Sequence, residues 1–328
     1  MSKIVLGTVQ FGLDYGINNN TGKPNYNEVK SIFDYAYNNN INFLDTAEAY
    51  GNSHEIIGNY HENSDNKFQV TTKYCSTRLD LPKNISDRIN HHLKILNVSN
   101  LYCYMFHNYD DFKNYFNLFK LELLELKNIG IIKKIGISLH SNHNINDVLE
   151  NKEIDLIQLP YNLLDNKSKR EKVFLKAKEK GVEIHTRSTF LQGLFFKDLD
   201  TIHGKLVVLK KYLLQLKRVV NKNEINSLAL NYVCSNANID GVLLGVDTVS
   251  QLQNNLGCIS DDKFKDIIEN AASKKIYGFR APFFSINEKT LYIFDEIMNA
   301  GYVYDSSIYP IRGHDLYGIS GAKKSIHK

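Results

Sequence analysis

Residues 43–51 read Phe43-Leu44-Asp45-Thr46-Ala47-Glu48-Ala49-Tyr50-Gly51, a short apolar run that ends in a carboxylate and is followed by a phenol and a glycine. An apolar run of this length between polar residues predicts a buried strand. Asp45 would then stand at the carboxyl end of the strand, and Tyr50 would lie in the loop after it. The stretch therefore predicts a strand that brings an acid and a phenol to one edge of a sheet.

Two later apolar runs have the same form, one ending in Lys73 and the other in His107. If the three strands are parallel neighbours, their carboxyl ends share one rim of a barrel or of an open α/β sheet. Folds of this kind carry their chemistry at that rim. We therefore expect Asp45, Tyr50, Lys73 and His107 to lie close together.

Short apolar runs alternate with amphipathic stretches from residue 4 to about residue 246, which is typical of repeated strand–helix units. The eight predicted strands are residues 4–7, 43–45, 68–73, 101–107, 134–138, 154–160, 182–187 and 241–246. Seven of them are followed by a helix before the next strand begins. The pattern predicts a (β/α)8 TIM barrel of the α/β class, with a long insert at about residues 190–239 that would shape the substrate pocket.

The composition excludes several classes of protein. Net charge is +4 from 40 basic and 36 acidic residues, and no basic run is long enough for a nucleic-acid arm. The four cysteines are widely spaced, which favours neither a disulfide framework nor a metal site: Cys75, Cys103, Cys234 and Cys258. No signal-peptide core and no apolar run of about 18 residues occurs. A cytoplasmic protein without a membrane or nucleic-acid partner is expected.

With these residues in place, the first 270 or so residues resemble the aldo-keto reductase family. The motifs that carry the resemblance are Gly7–Gly12, Asp45–Gly51, Lys73, His107 and Gly245–Asn255. The resemblance implies reduction of a small aldehyde or ketone, with a sugar derivative as one option, by hydride from NAD(P)H. The chain also resembles a subgroup of the family found with surface-polysaccharide genes.

The resemblance gives the four strand-end residues catalytic roles that make physical sense. Negative charge builds on the carbonyl oxygen during reduction, and a nearby proton donor lowers the barrier. Tyr50 would be that donor, and Lys73, held by Asp45, would favour its phenolate form. His107 would either orient the carbonyl through a hydrogen bond or share the proton. Glu48 has no role in this scheme and is interpreted as a loop-solvating or capping residue.

Three further positions match residues that bind the nicotinamide in the family. Ser138 and Gln158 stand where the carboxamide is hydrogen-bonded. Arg187 stands where many members have a stacking aromatic side chain, so it would stack on the nicotinamide or form a structural salt bridge. Leu139 replaces an asparagine of many members, which removes one carboxamide contact.

The segment before the last barrel helix matches the part of the family that binds the adenosine end of the cofactor. The residues expected to contact it are Gly245, Thr248, Gln251 and Asn255. NADP(H) is the expected cofactor and NAD(H) the alternative. The basic residues that grip the 2′-phosphate in many members are absent, and an acidic residue of the same segment, Asp247, favours a ribose 2′-hydroxyl.

The tail departs from the barrel pattern. Residues 1–272 form the predicted barrel, and residues 273–328 resemble the later motifs of polysaccharide deacetylases, at Gly278–Ile286 and Gly301–Pro310. The preceding half of that domain, which carries its metal ligands, is missing. The tail is therefore predicted to be a short α+β appendage, with one helix at residues 288–300 and no catalytic activity of its own.

A second function remains open at this stage. A barrel of this kind could bind nicotinamide nucleotide with weak turnover and act as a redox-responsive partner or scaffold protein. The intact set of four strand-end residues favours the enzyme. Leu139 and the unusual tail favour the alternative.

Overall fold

The computed structural model describes residues 3–19, 22–220, 224–259, 278–279 and 304–305. Eight parallel strands form a closed barrel in chain order, and the eighth strand pairs with the first. The strands are β1 Ile4–Gly7, β2 Phe43–Asp45, β3 Gln69–Tyr74, β4 Leu101–Phe106, β5 Ile132–Ser138, β6 Leu156–Pro160, β7 Glu183–Arg187 and β8 Gly241–Gly245. The predicted (β/α)8 TIM barrel is confirmed.

Helices follow most of the strands. They are α1 Val9–Gly12, α2 Tyr26–Asn38, α3 Ser53–Glu62, α4 Ile85–Leu96, α5 Tyr109–Asn128, α6 Ile145–Glu150, α7 Lys167–Glu179, α8 Lys210–Val219, α9 Ile225–Cys234 and α10 Val249–Gly257. The segment between β7 and α8 also contains three short 3₁₀ helices, Leu194–Phe196, Leu199–Thr201 and Gly204–Leu209.

Helix α2 illustrates how the amphipathic pattern builds the layer outside the barrel. Its buried side chains recur every three or four residues, which places them on one face: Val29, Ile32, Phe33 and Ala36. The Phe33 ring lies 4.9–5.5 Å, centroid to centroid, from the rings of Phe11, Tyr60 and Phe68. Burial of each such aromatic side chain stabilises the fold by about 1.5–3 kcal/mol.

The pairing of β2, β3 and β4 decides where the strand-end residues lie. Asp45 pairs with Thr71, two positions before Lys73 on the neighbouring strand. The backbone N–H of His107 donates to the carbonyl of Tyr74, the last residue of β3, at 3.1 Å. The three strands are therefore parallel neighbours whose carboxyl ends share one rim, as the sequence predicted.

The chain divides into two compact units, Met1–Leu214 with Asn238–Gly257 and Gln215–Ala237 with Cys258–Lys328. All eight barrel strands belong to the first unit. Within the second, the side chains of Ser227 and Asn231 on α9 donate to the carbonyl of Cys258 at 3.1 and 2.7 Å. Two short parallel strands, β9 Gly278–Phe279 and β10 Tyr304–Asp305, also belong to it.

The helix predicted at residues 288–300 and most of the deacetylase-like tail lie outside the described residues. In the described ranges, no helix combines the length and the apolar character that crossing a bilayer would require.

Candidate active site

A buried ion pair between Asp45 and Lys73 lies at the centre of the rim. The two residues are 1% and 0% exposed. The Lys73 Nζ donates to the Asp45 carboxylate and to the Thr46 carbonyl, the latter at 2.9 Å. Gln158 Nε2 donates to the other Asp45 oxygen at 2.8 Å. Burial alone would lower the pKa of Lys73, but Asp45 and Tyr50 raise it above its ordinary value, so the ammonium stays charged.

The Tyr50 ring lies between a cation and an imidazole. Lys73 Nζ is 5.0 Å from the centroid of this ring. The His107 ring lies edge-on to it, with centroids 5.7 Å apart. The structure thus brings together the four residues for which the sequence predicted catalytic roles, Asp45 included.

His107 is held as a neutral imidazole. Burial lowers its pKa from 6.5 to about 4, and the positive charge of Lys73 acts in the same direction. A neutral imidazole carries one donor and one acceptor nitrogen, so it can hydrogen-bond a carbonyl group without adding a charge.

Two glycines fix the loop that carries Tyr50. A Cβ added to Gly12 would lie 1.8 Å from the Tyr50 carbonyl oxygen, and one added to Gly51 would lie 2.2 Å from the Gly12 carbonyl oxygen. Gly51 also has a φ of +54°, in the region that side chains disfavour. Because the two backbones touch, the position of the Tyr50 loop depends on glycine at both sites.

Glu48 corrects one interpretation made from the sequence. It is 1% exposed, so it is neither a loop-solvating nor a surface residue. Its carboxylate accepts from both Nε and Nη2 of Arg88, at 2.9 and 2.6 Å, and lies 2.8 Å from Nε2 of His92. Burial raises the pKa of Glu48, but these hydrogen bonds from Arg88 and His92 outweigh it and lower the pKa to about 2.

The Glu48 carboxylate also joins two loops of the rim. It accepts the backbone N–H of Cys75, just after β3, at 2.7 Å, while Glu48 itself lies two residues before Tyr50. Arg88 donates to the Cys75 carbonyl at 2.8 Å. Glu48 therefore holds the loop of Tyr50 against the strand that carries Lys73. Its partner Arg88 lies on α4, 40 positions later, so the sequence around Glu48 does not indicate this role.

The residues predicted to bind nicotinamide lie on consecutive strands. Ser138 pairs with Gln158 across β5 and β6, and Pro160 pairs with Arg187 across β6 and β7. Ser138 and Gln158 are both buried. The amide of Gln158 donates to Asp45, so this residue belongs to the Asp45–Lys73 pair as well as to the predicted nicotinamide site.

Arg187 has only neutral hydrogen-bond partners among the described residues. Its Nη2 donates to the Leu139 carbonyl at 3.3 Å and to Nδ1 of His140 at 3.0 Å, and its Nη1 donates to the Ser188 hydroxyl at 3.4 Å. The salt bridge considered from the sequence does not occur within this part of the chain.

The β8–α10 segment carries the residues predicted to bind the adenosine end. Gly245 pairs with Gly7 on β1, and a Cβ added to Gly245 would lie 2.5 Å from the side chain of Gln10. The Thr248 hydroxyl accepts the backbone N–H of Gln251 at 3.2 Å, and so caps the start of α10. Asn255, one turn further along, is buried.

Two buried acceptors in this region fit a nucleotide. Oδ1 of Asp247 and Oε1 of Gln10 are buried and meet no hydrogen-bond donor within the described residues. Buried acceptors without donors are unfavourable, so a ligand that donates to them would be stabilising. Among all residues that the structure describes, no group of three or more His, Cys, Asp or Glu side chains is arranged to hold a metal ion.

Eight parallel strands closed into a barrel, with polar side chains gathered at their carboxyl ends, define a TIM-barrel protein with a site at the usual rim. The model of the Aldo/keto reductase family matches residues 3–271, most of the chain. The chain therefore belongs to the aldo/keto reductase family and is an oxidoreductase of the aldo-keto reductase type.

Solved structures share this fold. An aldo-keto reductase from Bacillus halodurans, in its holo form, is 19% identical with a TM-score of 0.63, and the match covers 84% of this chain and 93% of that one. A glycerol dehydrogenase from Gluconobacter oxydans is 20% identical with a TM-score of 0.62, over 83% and 92% of the two chains. At these identities the likeness establishes the fold alone. A comparison with curated proteins gave no match.

The Glu48 network generates a stability prediction. Glu48→Ala should destabilise the fold by about 3–5 kcal/mol, because it leaves the buried Arg88 guanidinium without its carboxylate. Urea unfolding followed by circular dichroism measures the change. Glu55→Ala is the matched control, since Glu55 is exposed on α3, and it should change the stability by less than about 0.5 kcal/mol. Equal effects of the two substitutions would show that Glu48 does not brace the rim.

Proposed function

We propose that the protein reduces a small aldehyde or ketone, with Tyr50 as the proton donor. The observation that supports this most directly is the buried Asp45–Lys73 pair beside the Tyr50 ring. A reduced nicotinamide, when bound, would supply the hydride.

Each of the four residues has a physical task in this proposal. The ammonium of Lys73 lies beside the Tyr50 ring and stabilises the negative charge that develops on the Tyr50 oxygen as its proton leaves. As negative charge builds on the substrate oxygen, Tyr50 donates its proton there. Asp45 keeps Lys73 charged and in place, because a buried ammonium without a counter-ion would tend to lose its proton.

His107 is proposed to orient the substrate. Its neutral ring can donate a hydrogen bond to the carbonyl oxygen and thereby fix the angle at which the carbonyl faces Tyr50. The low pKa of this imidazole makes Tyr50, rather than His107, the source of the proton at neutral pH.

The dinucleotide is proposed to lie along the rim from β5 to α10. Ser138 and Gln158 would hold the carboxamide, and backbone N–H groups at the start of α10 would hold phosphate oxygens. The buried Oδ1 of Asp247 supports NAD(H) over NADP(H), because a ribose 2′-hydroxyl can donate to a carboxylate whereas a 2′-phosphate is repelled by it.

The tail is proposed to be a partial domain. Residues 273–328 resemble the later motifs of polysaccharide deacetylases, and the half that carries the metal ligands in that family has no counterpart in the resemblance. We expect no deacetylase activity from this segment.

Tyr50→Phe should lower kcat by about 10²–10⁴-fold, because the ring remains but the proton donor is lost. Consumption of NADH and NADPH with a panel of sugar-derived aldehydes measures the rate, and quenching of cofactor fluorescence should show unchanged cofactor binding. Tyr35→Phe, at a partly exposed position on α2 outside the insert, is the control and should leave the rate unchanged. Full activity of Tyr50→Phe would reject the assigned role, and cofactor binding by a wild type without turnover would support the scaffold alternative.

The pH dependence should reflect the low pKa of His107. The active form is the neutral imidazole, so kcat/KM should stay level as the pH falls from about 7 to about 5 and should decline only near the folded-state pKa of about 4. A His107→Asn variant with residual activity should lack this decline. A fall in wild-type kcat/KM centred between about pH 6 and pH 7 would contradict a neutral His107.

The Asp247 argument predicts the cofactor preference. Wild-type protein should bind NADH more tightly than NADPH, and Asp247→Ala should raise the Kd for NADH roughly tenfold or more while leaving NADPH binding equal or stronger. Fluorescence titration with each cofactor measures both constants. Asp200→Ala removes an exposed carboxylate and should alter neither. Tighter binding of NADPH by the wild type, unaffected by Asp247→Ala, would refute the preference.

A further inference from the structure

A guanidinium at the rim has no anionic partner among the described residues. Arg187 ends β7, and its three hydrogen bonds go to a carbonyl, a hydroxyl and an imidazole. The imidazole is that of His140, whose pKa is lowered by burial and then by the positive charge of Arg187, so it accepts as a neutral ring. The guanidinium of Arg187 is therefore hydrogen-bonded by neutral protein groups, but none of these groups neutralises its charge.

Two carboxylates at the strand ends and loops of this rim are already paired. Asp45 is bound by Lys73 and Gln158. Asp165, in the loop after β6, accepts two hydrogen bonds from Arg170, from Nε at 2.8 Å and from Nη2 at 2.7 Å. Neither is left to serve as the counter-ion of Arg187.

The surroundings of Arg187 make an unpaired charge unfavourable. Burial lowers the pKa of its guanidinium, and the groups that act against this are Tyr50, Tyr15 and Asp45, in that order. A partly buried cation without a counter-ion is stabilised by any anionic group that binds beside it. The site thus has the charge that an anionic ligand requires.

The backbone geometry places Arg187 at the rim of the proposed chemistry. It ends β7, and its Nη2 donates to the carbonyl of Leu139, which directly follows Ser138 at the end of β5. The positive charge of Arg187 also helps to lower the pKa of His107. Tyr15 belongs to the same surroundings, and its pKa is raised by burial and by Tyr50. A molecule whose carbonyl lies against Tyr50 would therefore share this rim with Arg187.

We infer that Arg187 binds an anionic group of the substrate, so that the protein acts on aldehydes or ketones that carry a carboxylate or a phosphate. A guanidinium suits this task because its planar N–H groups match carboxylate and phosphate oxygens. The inference rests on the proposed reductase function. An anion could also come from the pyrophosphate of the dinucleotide, but Arg187 hydrogen-bonds Leu139 and His140, next to Ser138 at the proposed nicotinamide end and not at the start of α10, which favours the substrate.

The test compares how each variant changes kcat/KM for two para-substituted benzaldehydes, the anionic 4-carboxybenzaldehyde and the neutral 4-nitrobenzaldehyde, with glyoxylate and methylglyoxal as a shorter pair. Arg187→Met should lower kcat/KM for the anionic substrate of each pair by about 10- to 100-fold, mostly through a higher KM. It should change kcat/KM for the neutral substrate by less than about threefold. Arg187→Lys, which keeps the charge, should recover part of the loss. Lys133→Met, which removes an exposed cation from the amino-terminal half of β5, should leave kcat/KM unchanged for both substrates.

Three results would overturn the inference. One is an equal loss for both members of each pair together with weaker NADH and NADPH binding, which would assign Arg187 to the dinucleotide. Another is a ratio of kcat/KM for the anionic substrate to kcat/KM for the neutral substrate that is the same in Arg187→Met as in the wild type. The third comes from calorimetry with terephthalate, a dianion that cannot be reduced: equal binding to the wild type and to Arg187→Met would exclude the anion site.

The calorimetric result also separates this inference from the proposed function. If the wild type reduces none of the aldehydes, the proposed function fails. Terephthalate binding that is lost in Arg187→Met and kept in Lys133→Met would still establish the anion site.

Discussion

The ion pair between Asp45 and Lys73 is the interaction on which the rim of the barrel depends. Two charges with almost no exposure to water are stable only if each is fully hydrogen-bonded, since each loses several kcal/mol of hydration. The Thr46 carbonyl and the Gln158 amide complete the pair. The ion pair joins the neighbouring strands β2 and β3, Thr46 directly follows β2, and Gln158 comes from β6 across the barrel. Correct closure of the barrel is therefore also the condition under which the pair forms, which couples the fold to the site.

A second buried ion pair, between Glu48 and Arg88, supports the first by fixing the loop that carries Tyr50. Asp45 and Glu48 are three residues apart, and the carboxylate of each binds a buried cation from a later part of the chain. Asp45 fixes the strand end, whereas Glu48 fixes the loop through Arg88 and the backbone N–H of Cys75. Tyr50 follows both anchors by a few residues, so its ring has little freedom to leave Lys73. The preorganisation that the proposed proton transfer requires thus depends on two charges in one short stretch.

The sequence predicted the parts of this arrangement that depend on local pattern. Apolar runs and helical spacing gave all eight strands, and polar residues at their ends placed Asp45, Tyr50, Lys73 and His107 on one rim. The interpretation of Glu48 as a loop-solvating residue was wrong because its environment is set by Arg88 and His92, about 40 residues away, and no local signal gives that contact. The hydrogen bond from Gln158 to Asp45 was missed for the same reason, since it crosses 113 positions of sequence.

The balance of charge at the rim connects the buried pairs to the choice of ligand. Lys73, Arg88 and Arg170 each have a carboxylate, whereas Arg187 has none within the described residues. Selection for stability alone would favour a neutral side chain at a partly buried position without a counter-ion. A cation retained beside a group of polar side chains is more readily explained by function, because binding sites are where proteins keep locally unfavourable residues. Within the described residues, the three paired cations stabilise the structure, and Arg187 is the cation that we infer to distinguish an anionic ligand from a neutral one.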